Sequence, residues 1–140
     1  KTNQALREFN RILRKDGIFT ALWNPRITEL SKTESTIDNI LKSKYGITKR
    51  TSSGRSGITL SLTETLNKSG YFKEVSYAEA MNKVQVSPEH YIGAWRSVND
   101  IRSQLGEKNF KHFIDDITDL TLELEHIEVH YLTRAWIGRK

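Results

Sequence analysis

The sequence predicts an α/β fold: three strands with flanking helices. Three observations predict it. The chain opens with a helix, a glycine turn and an apolar strand, Thr2 to Pro25. It closes with a long alternating stretch, Glu125 to Gly138. Between them, apolar residues recur mostly at helical spacing, with one further strand signal at residues 71–86. The expected order is α-β-α-α-β-α-α-β.

The opening helix carries Ala5, Leu6, Phe9, Ile12 and Leu13 on one stripe, with Arg7, Glu8, Arg11 and Arg14 between them. Thr2 or Asn3 is placed to cap it. Gly17 is placed just past its end, where a left-handed backbone is needed. Ile18 to Trp23, IFTALW, is a nearly continuous apolar run, so a strand covered on both faces is expected, ended by Pro25. A helix is expected over Thr28–Tyr45, with Leu30, Thr33, Ile37, Ile40 and Leu41 inward and Gly46 at its end. Residues 49–57, KRTSSGRSG, read as a surface loop. A short helix over Leu60–Lys68 follows, with Thr63 as its expected cap and Gly70 closing it.

In the 71–86 stretch the strand pattern is broken by Ala78-Glu79-Ala80, so a bend or two short strands are expected. Ser87-Pro88-Glu89 is a helix start, and that helix carries Tyr91, Ile92, Trp95 and Val98 and is expected to extend to Ile101. Gly106 breaks the helical run. Over Glu107–Glu125, Phe110, Phe113, Ile114, Ile117, Leu120 and Leu124 share a face opposite Asp115, Asp116 and Asp119. In the last strand Ile127, Val129, Tyr131, Thr133, Ala135 and Ile137 share a side, while Leu132 and Trp136 make the other side partly apolar.

With 140 residues the chain holds at most one domain. Charged residues are 28% and hydrophobic ones 36%, which excludes a disordered chain. Cysteine is absent, so disulfides and thiolate metal sites are excluded. No apolar run is long enough for a transmembrane helix, and the start KTNQALREFN has no signal-peptide core. A cytoplasmic location is the expectation. The formal charge of +5 suits contact with anions or nucleic acid but is modest for either.

Several groups are candidates for chemistry. In open α/β sheets ligands bind outside the carboxyl ends of strands, which points to Trp23, Asn24 and Arg26. Trp23 and Asn24 border such a crevice, or they are a packed Trp and a turn Asn. Tyr91, Trp95, Arg96 and Ser97 offer aromatic walls and a cation for an acidic substrate, or an ordinary inward-packed helix with Arg96 solvated. Lys42, Lys44, Lys49, Arg50 and Arg55 are a candidate anion patch or a solvated loop; Tyr45 alone supplies an interleaved aromatic, so nucleic acid is not the favoured partner. His126 and His130 have a spacing that suits a metal on a helix, but on a strand it separates them by about 13 Å. No metal site is expected. Asp115, Asp116 and Asp119 read as a solvated face.

The segment ALREFNRILRKDGIFTALWN, Ala5–Asn24, resembles the stretch leading into the fifth strand of class I methyltransferases that use S-adenosylmethionine. The usual basic-Pro-Gly-Gly turn is here Arg14-Lys15-Asp16-Gly17, so only its last Gly is kept. The close, EVHYLTRAWIGRK (Glu128–Lys140), resembles the family's final strand with its Tyr-x-Thr-x-Ala pattern. SPEHYIGAWRS (Ser87–Ser97) is similar to the substrate-side helical insertion of the small-molecule, type 11-like branch.

The resemblance implies a single partial domain over 1–140, the C-terminal half of a Rossmann-like methyltransferase fold with a three-stranded mixed sheet. Its strands would be the family's five, seven and six, with seven between the others and antiparallel to them, and residues 87–125 would be the substrate-side helical region. The Gly-rich cofactor loop has no counterpart here, so the cofactor-binding N-terminal half is expected to precede Lys1. The implied activity of the parent protein is methyl transfer from S-adenosylmethionine to a small molecule, with weak or no cofactor binding by this chain alone. Methyl transfer needs mainly in-line positioning, and no catalytic residue is assigned. The implied partner is the missing half, or a second copy, on the Ile18–Trp23 edge. The alternative is a non-enzymatic basic α/β module that binds nucleic acid or a protein.

Overall fold

A computed structural model of the chain describes residues 2–48 and 57–140. Helix α1 spans Thr2–Ile12 and strand β1 Ile18–Trp23. A 3-10 turn at Thr28–Leu30 leads into α2, Lys32–Ser43, and another at Gly57–Leu60 into α3, Leu62–Lys68. Then come β2 (Glu74–Val86), α4 (Pro88–Arg96), α5 (Asn99–Thr121) and β3 (Ile127–Arg139). The order of helices and strands is the expected one.

The sheet order is β1-β3-β2. Ile18 faces Arg139 and Trp23 faces Arg134, so β3 runs against β1. It also runs against β2: the Lys73 amide bonds the Arg139 carbonyl at 2.8 Å, while Lys83 meets Glu128 at the other end at 3.0 Å. The expected mixed sheet is therefore antiparallel throughout. A central strand that opposes both neighbours leaves no parallel ladder to form.

The described residues form two compact units, residues 2–25, 57–81 and 132–140, and residues 26–48 and 82–131. In the first, Leu6, Leu62, Leu66, Phe72 and Trp136 are the core. Trp136 meets Trp23 edge-on at 5.6 Å and Tyr77 at 4.9 Å, and its indole N–H donates to the Thr63 hydroxyl at 2.9 Å. Thr63 thus serves Trp136 and does not cap α3, whose N-cap position is Ser61. Phe9, Phe19 and Phe72 stack in a row at 5.1 and 5.4 Å. The Lys140 ammonium donates to the Asn10 and Leu13 carbonyls at 2.6 and 2.8 Å, placing a cation at the negative end of α1.

Three local expectations are corrected in this unit. Asp16, not Gly17, takes the left-handed backbone, at φ 59. Gly17 is required for another reason: a Cβ there would lie 2.8 Å from the Arg14 carbonyl oxygen. Strand β1 is not covered on both faces. Phe19, Ala21 and Trp23 are half-buried, whereas Ile18, Thr20 and Leu22 are exposed, because no described element covers that face. Residues 74–86 form one strand of 13 residues; the ladder with β3 overrides the helix preference of Ala78-Glu79-Ala80.

In the second unit Ile37, Leu41, Trp95, Ile101, Phe113, Ile117 and Val129 are among the core residues. Ser31 caps α2, its hydroxyl accepting from the Glu34 amide at 3.4 Å. Gly46 follows α2 at φ 70. Ser87 caps α4 and Pro88 occupies its first turn, as its sequence indicates. Helix α4 stops at Arg96, short of Ile101, which lies on α5. Gly106, at φ 71 and ψ 163, breaks α5 where the break was expected. Leu120 and Leu124, expected inward, are exposed. Along β3 the buried residues are Ile127 and Val129, then Trp136 and Gly138, so the buried parity changes along the strand.

Candidate functional site

The strongest polar constellation lies in the second unit. Arg26 follows the Pro25 that ends β1, and its backbone makes an isolated bridge with Tyr131. The next amide, Ile27, donates to the His130 carbonyl at 2.8 Å, so the position of Arg26 is fixed by main-chain bonds on the β3 side. Its guanidinium lies 5.3 Å from the Tyr91 ring centre and 5.7 Å from that of Trp95. Its Nη1 donates to Glu34 Oε1 at 3.2 Å. The Tyr91 hydroxyl donates to the same oxygen at 3.3 Å.

Glu34 is the unusual member. It is 1% exposed, and its Oε2 is buried with no hydrogen-bond partner among the described residues. Burial pushes its carboxyl above the ordinary value; the Arg26 charge and the Tyr91 and Arg26 hydrogen bonds offset only part of that. Tyr91 is pushed well above the ordinary phenol range, first by burial and then by the Glu34 charge. Nearby, the Thr28 hydroxyl donates to Asp38 at 2.8 Å and pins the turn that carries Arg26 into α2.

Of the expected substrate quartet, Tyr91 and Trp95 are brought together, with ring centres 6.4 Å apart. Both are buried, and Trp95 also packs edge-on against Phe113 at 5.2 Å. Arg96 and Ser97 are exposed at the end of α4, where the Ser97 hydroxyl bonds the Ala94 carbonyl at 2.7 Å. The cation that meets the rings is Arg26. Glu34 was missed, although Ser31-Lys32-Thr33-Glu34 has the spacing of a capping box. Its side chain departs from that motif, reaching Arg26 and Tyr91. The cluster offers a planar cation held against aromatic faces, suited to a carboxylate or phosphate, beside a buried acceptor oxygen.

Trp23 and Asn24 belong to the first unit. Trp23 packs on Trp136, and the Asn24 amide oxygen accepts from the Thr133 hydroxyl at 2.8 Å.

A second cleft, of about 520 Å³, is lined by Lys44, Tyr45, Asn109, His112, Asp115 and Asp116. Lys44 and the Tyr45 hydroxyl both reach Asp116 at 2.7 Å. The expected solvated face of α5 therefore holds for Asp115 and Asp119, which are exposed, but not for Asp116. Burial raises the Asp116 carboxyl, but its bonds to Lys44 and Tyr45 pull it further down, to a net value below the ordinary range. Of the basic patch, Lys49, Arg50 and Arg55 lie outside the described residues, and Lys44 is engaged by Asp116. His130 meets Glu128 at 3.1 Å, and no group of three metal-ligating side chains converges among the described residues. No described helix is long and apolar enough to cross a membrane.

No family model matches the chain, and no curated protein matches it.

Proposed function

We propose that this chain is the C-terminal part of a class I S-adenosylmethionine-dependent methyltransferase that acts on an acidic small molecule. The order β1-β3-β2, with β3 antiparallel to β1, carries the reading. It is the order that strands five, seven and six of that fold would take. In this reading the anionic end of the substrate meets Arg26, with Tyr91 and Trp95 holding the guanidinium in place. Trp23 and Asn24 border the cofactor side. The protein would act in the cytoplasm, and most of the cofactor site would lie in a preceding segment.

The direct test is the coding sequence upstream of Lys1. A strand followed by an acidic-x-Gly-x-Gly loop is the expected finding, and its absence would sink the reading. Calorimetry of the 140-residue chain with S-adenosylhomocysteine is expected to give weak or no binding; micromolar affinity would place the cofactor site within this chain instead.

The rival, a basic module for nucleic acid or a protein, rests on the net charge of +5. It predicts salt-dependent binding that collapses when Lys49, Arg50 and Arg55 are neutralised.

A further inference from the structure

The two edges of the sheet differ. Strand β2 carries Glu74, Glu79 and Lys83, charges of the kind that blunt an edge against association. Strand β1 carries none over Ile18–Trp23 and has no strand partner on its outer side among the described residues. Ile18 and Leu22, on its open face, are 55% and 66% exposed. On the other face an apolar cleft of about 330 Å³ runs between α1 and β1, lined by residues including Leu6, Phe9, Phe19, Ala21 and Trp23.

We propose that β1 pairs antiparallel with β1 of a second copy, with Thr20 on the two-fold axis, joining two three-stranded sheets into one of six strands. The sequence of β1 is self-complementary in this register. An isologous interface sets residue i against j and j against i. With Thr20 opposite itself, Ile18 lies opposite Leu22 of the second copy on the open face. On the cleft face Phe19 lies opposite Ala21, and Trp23 opposite Gly17. Each large ring thus meets a small residue, and each exposed aliphatic side chain meets another. The Thr pair at the axis is a favourable cross-strand pair, and no charge faces a charge. A register shifted by two residues, with Ala21 on the axis, sets Phe19 against Trp23 and Leu22 against Thr20, and loses both matches.

This pairing uses the edge that the methyltransferase reading gives to a further strand, but it follows from residues 17–23 alone. A further strand on this edge would block the pairing, so the pairing is a property of the 140-residue chain with β1 open, and its failure would leave the methyltransferase reading untouched.

Sedimentation velocity of the 140-residue chain tests the pairing over a range of micromolar concentrations. A dimer that dissociates on dilution is expected; a monomer throughout would overturn the proposal. Ile18→Lys with Leu22→Lys sets lysines against lysines across the axis and is expected to give a monomer with unchanged circular dichroism, since both positions are exposed. Ile18→Lys with Leu22→Glu sets opposite charges against each other and is expected to restore the dimer. A dimer that survives the double lysine substitution, or one that the charge pair does not restore, would overturn the register. Because the chain has no cysteine, Thr20→Cys introduces a single thiol. Directly opposed residues in an antiparallel pair have Cα atoms about 4.5–5.5 Å apart, within disulfide reach. The disulfide-linked dimer is expected to form much faster from Thr20→Cys than from Leu122→Cys, an exposed position at the C-terminal end of α5. Equal rates would count against the pairing.

Discussion

Arg26 Nη1 stands 3.2 Å from Glu34 Oε1, the oxygen that also takes the Tyr91 hydroxyl. One carboxylate oxygen thus collects both donors while the other, Oε2, is buried without one among the described residues. Removing the cation should therefore cost more than losing a surface ion pair, because a buried charge is left behind. Arg26→Ala is expected to destabilise the chain by about 3 kcal/mol. Arg26→Ala combined with Glu34→Gln is expected to recover part of that loss. Chemical denaturation of the two variants checks this; equal stabilities would mean that Glu34 relaxes towards solvent when Arg26 is gone.

The same carboxylate sets a pH dependence. Its folded-state value is raised above the ordinary 4.5, chiefly by burial. A raised value means that the folded state holds the proton more tightly than the unfolded one. The contribution of Glu34 is then fully present below about pH 4.5 and is lost as pH rises through the raised value. The difference in melting temperature, wild type minus Glu34→Gln, should fall as pH rises from 4.5 towards neutrality. A difference that stays flat over that window would show Glu34 ionising as an exposed carboxyl does.

Much of this architecture was legible from short-range chemistry. Ser87-Pro88 starts α4 and Gly106 breaks α5 because caps and left-handed glycines act within a few residues. The element order followed from hydrophobic periodicity. What was not legible depended on partners distant in the chain. Whether IFTALW is a two-sided or a one-sided strand is decided by what covers it, and the run itself carries no trace of that. Thr63 looked like a cap because its partner, Trp136, lies 73 residues away. Glu34 was missed because its role is set by Arg26 and by Tyr91, the latter 57 residues away. Asp116 looked solvated because Lys44 and Tyr45 lie more than 70 residues upstream. Arg26 was noted from its place after the strand end, a positional signal that needs no partner.

The Lys44–Tyr45–Asp116 cluster gives an opposite pH signature. Lys44 is largely exposed, so its ion pair contributes little, but Asp116 is half-buried and also takes the Tyr45 hydroxyl. Asp116→Asn is expected to cost about 1 kcal/mol at neutral pH. The Asp116 carboxyl is depressed below its ordinary 3.8, so its contribution is present above that value and is lost as pH falls through the folded-state value. The gap between wild type and Asp116→Asn should close at acid pH, whereas the Glu34→Gln difference grows there. Tyr45→Phe should remove part of the gap at neutral pH. Melts of the three variants against pH separate the two carboxylates, and a gap that does not shrink as pH falls below 3.8 would assign the Asp116 effect to packing instead.

Gly17 and Gly138 are both required for close approach, but they should respond differently to repair. A Cβ on Gly138 would lie 2.9 and 3.0 Å from ring atoms of Phe72. Gly138→Ala is overpacking against a side chain and is expected to cost about 1–3 kcal/mol. Truncating the ring frees most of the contact, so in the Phe72→Ala background the added cost of Gly138→Ala should fall to near zero, a coupling that a double-mutant cycle reads directly. At Gly17 the nearest atom is the Arg14 carbonyl oxygen at 2.8 Å, which also accepts the Gly17 amide at 2.9 Å. That oxygen belongs to the backbone that ends α1, and no side-chain truncation moves it. Leu13 is the other close neighbour, with a methyl carbon at 3.3 Å, so Leu13→Ala is the matched control. Gly17→Ala should cost as much in the Leu13→Ala background as alone. Rescue there would mean that the turn into β1 yields to side-chain repacking, and would remove the reason given for a glycine at position 17.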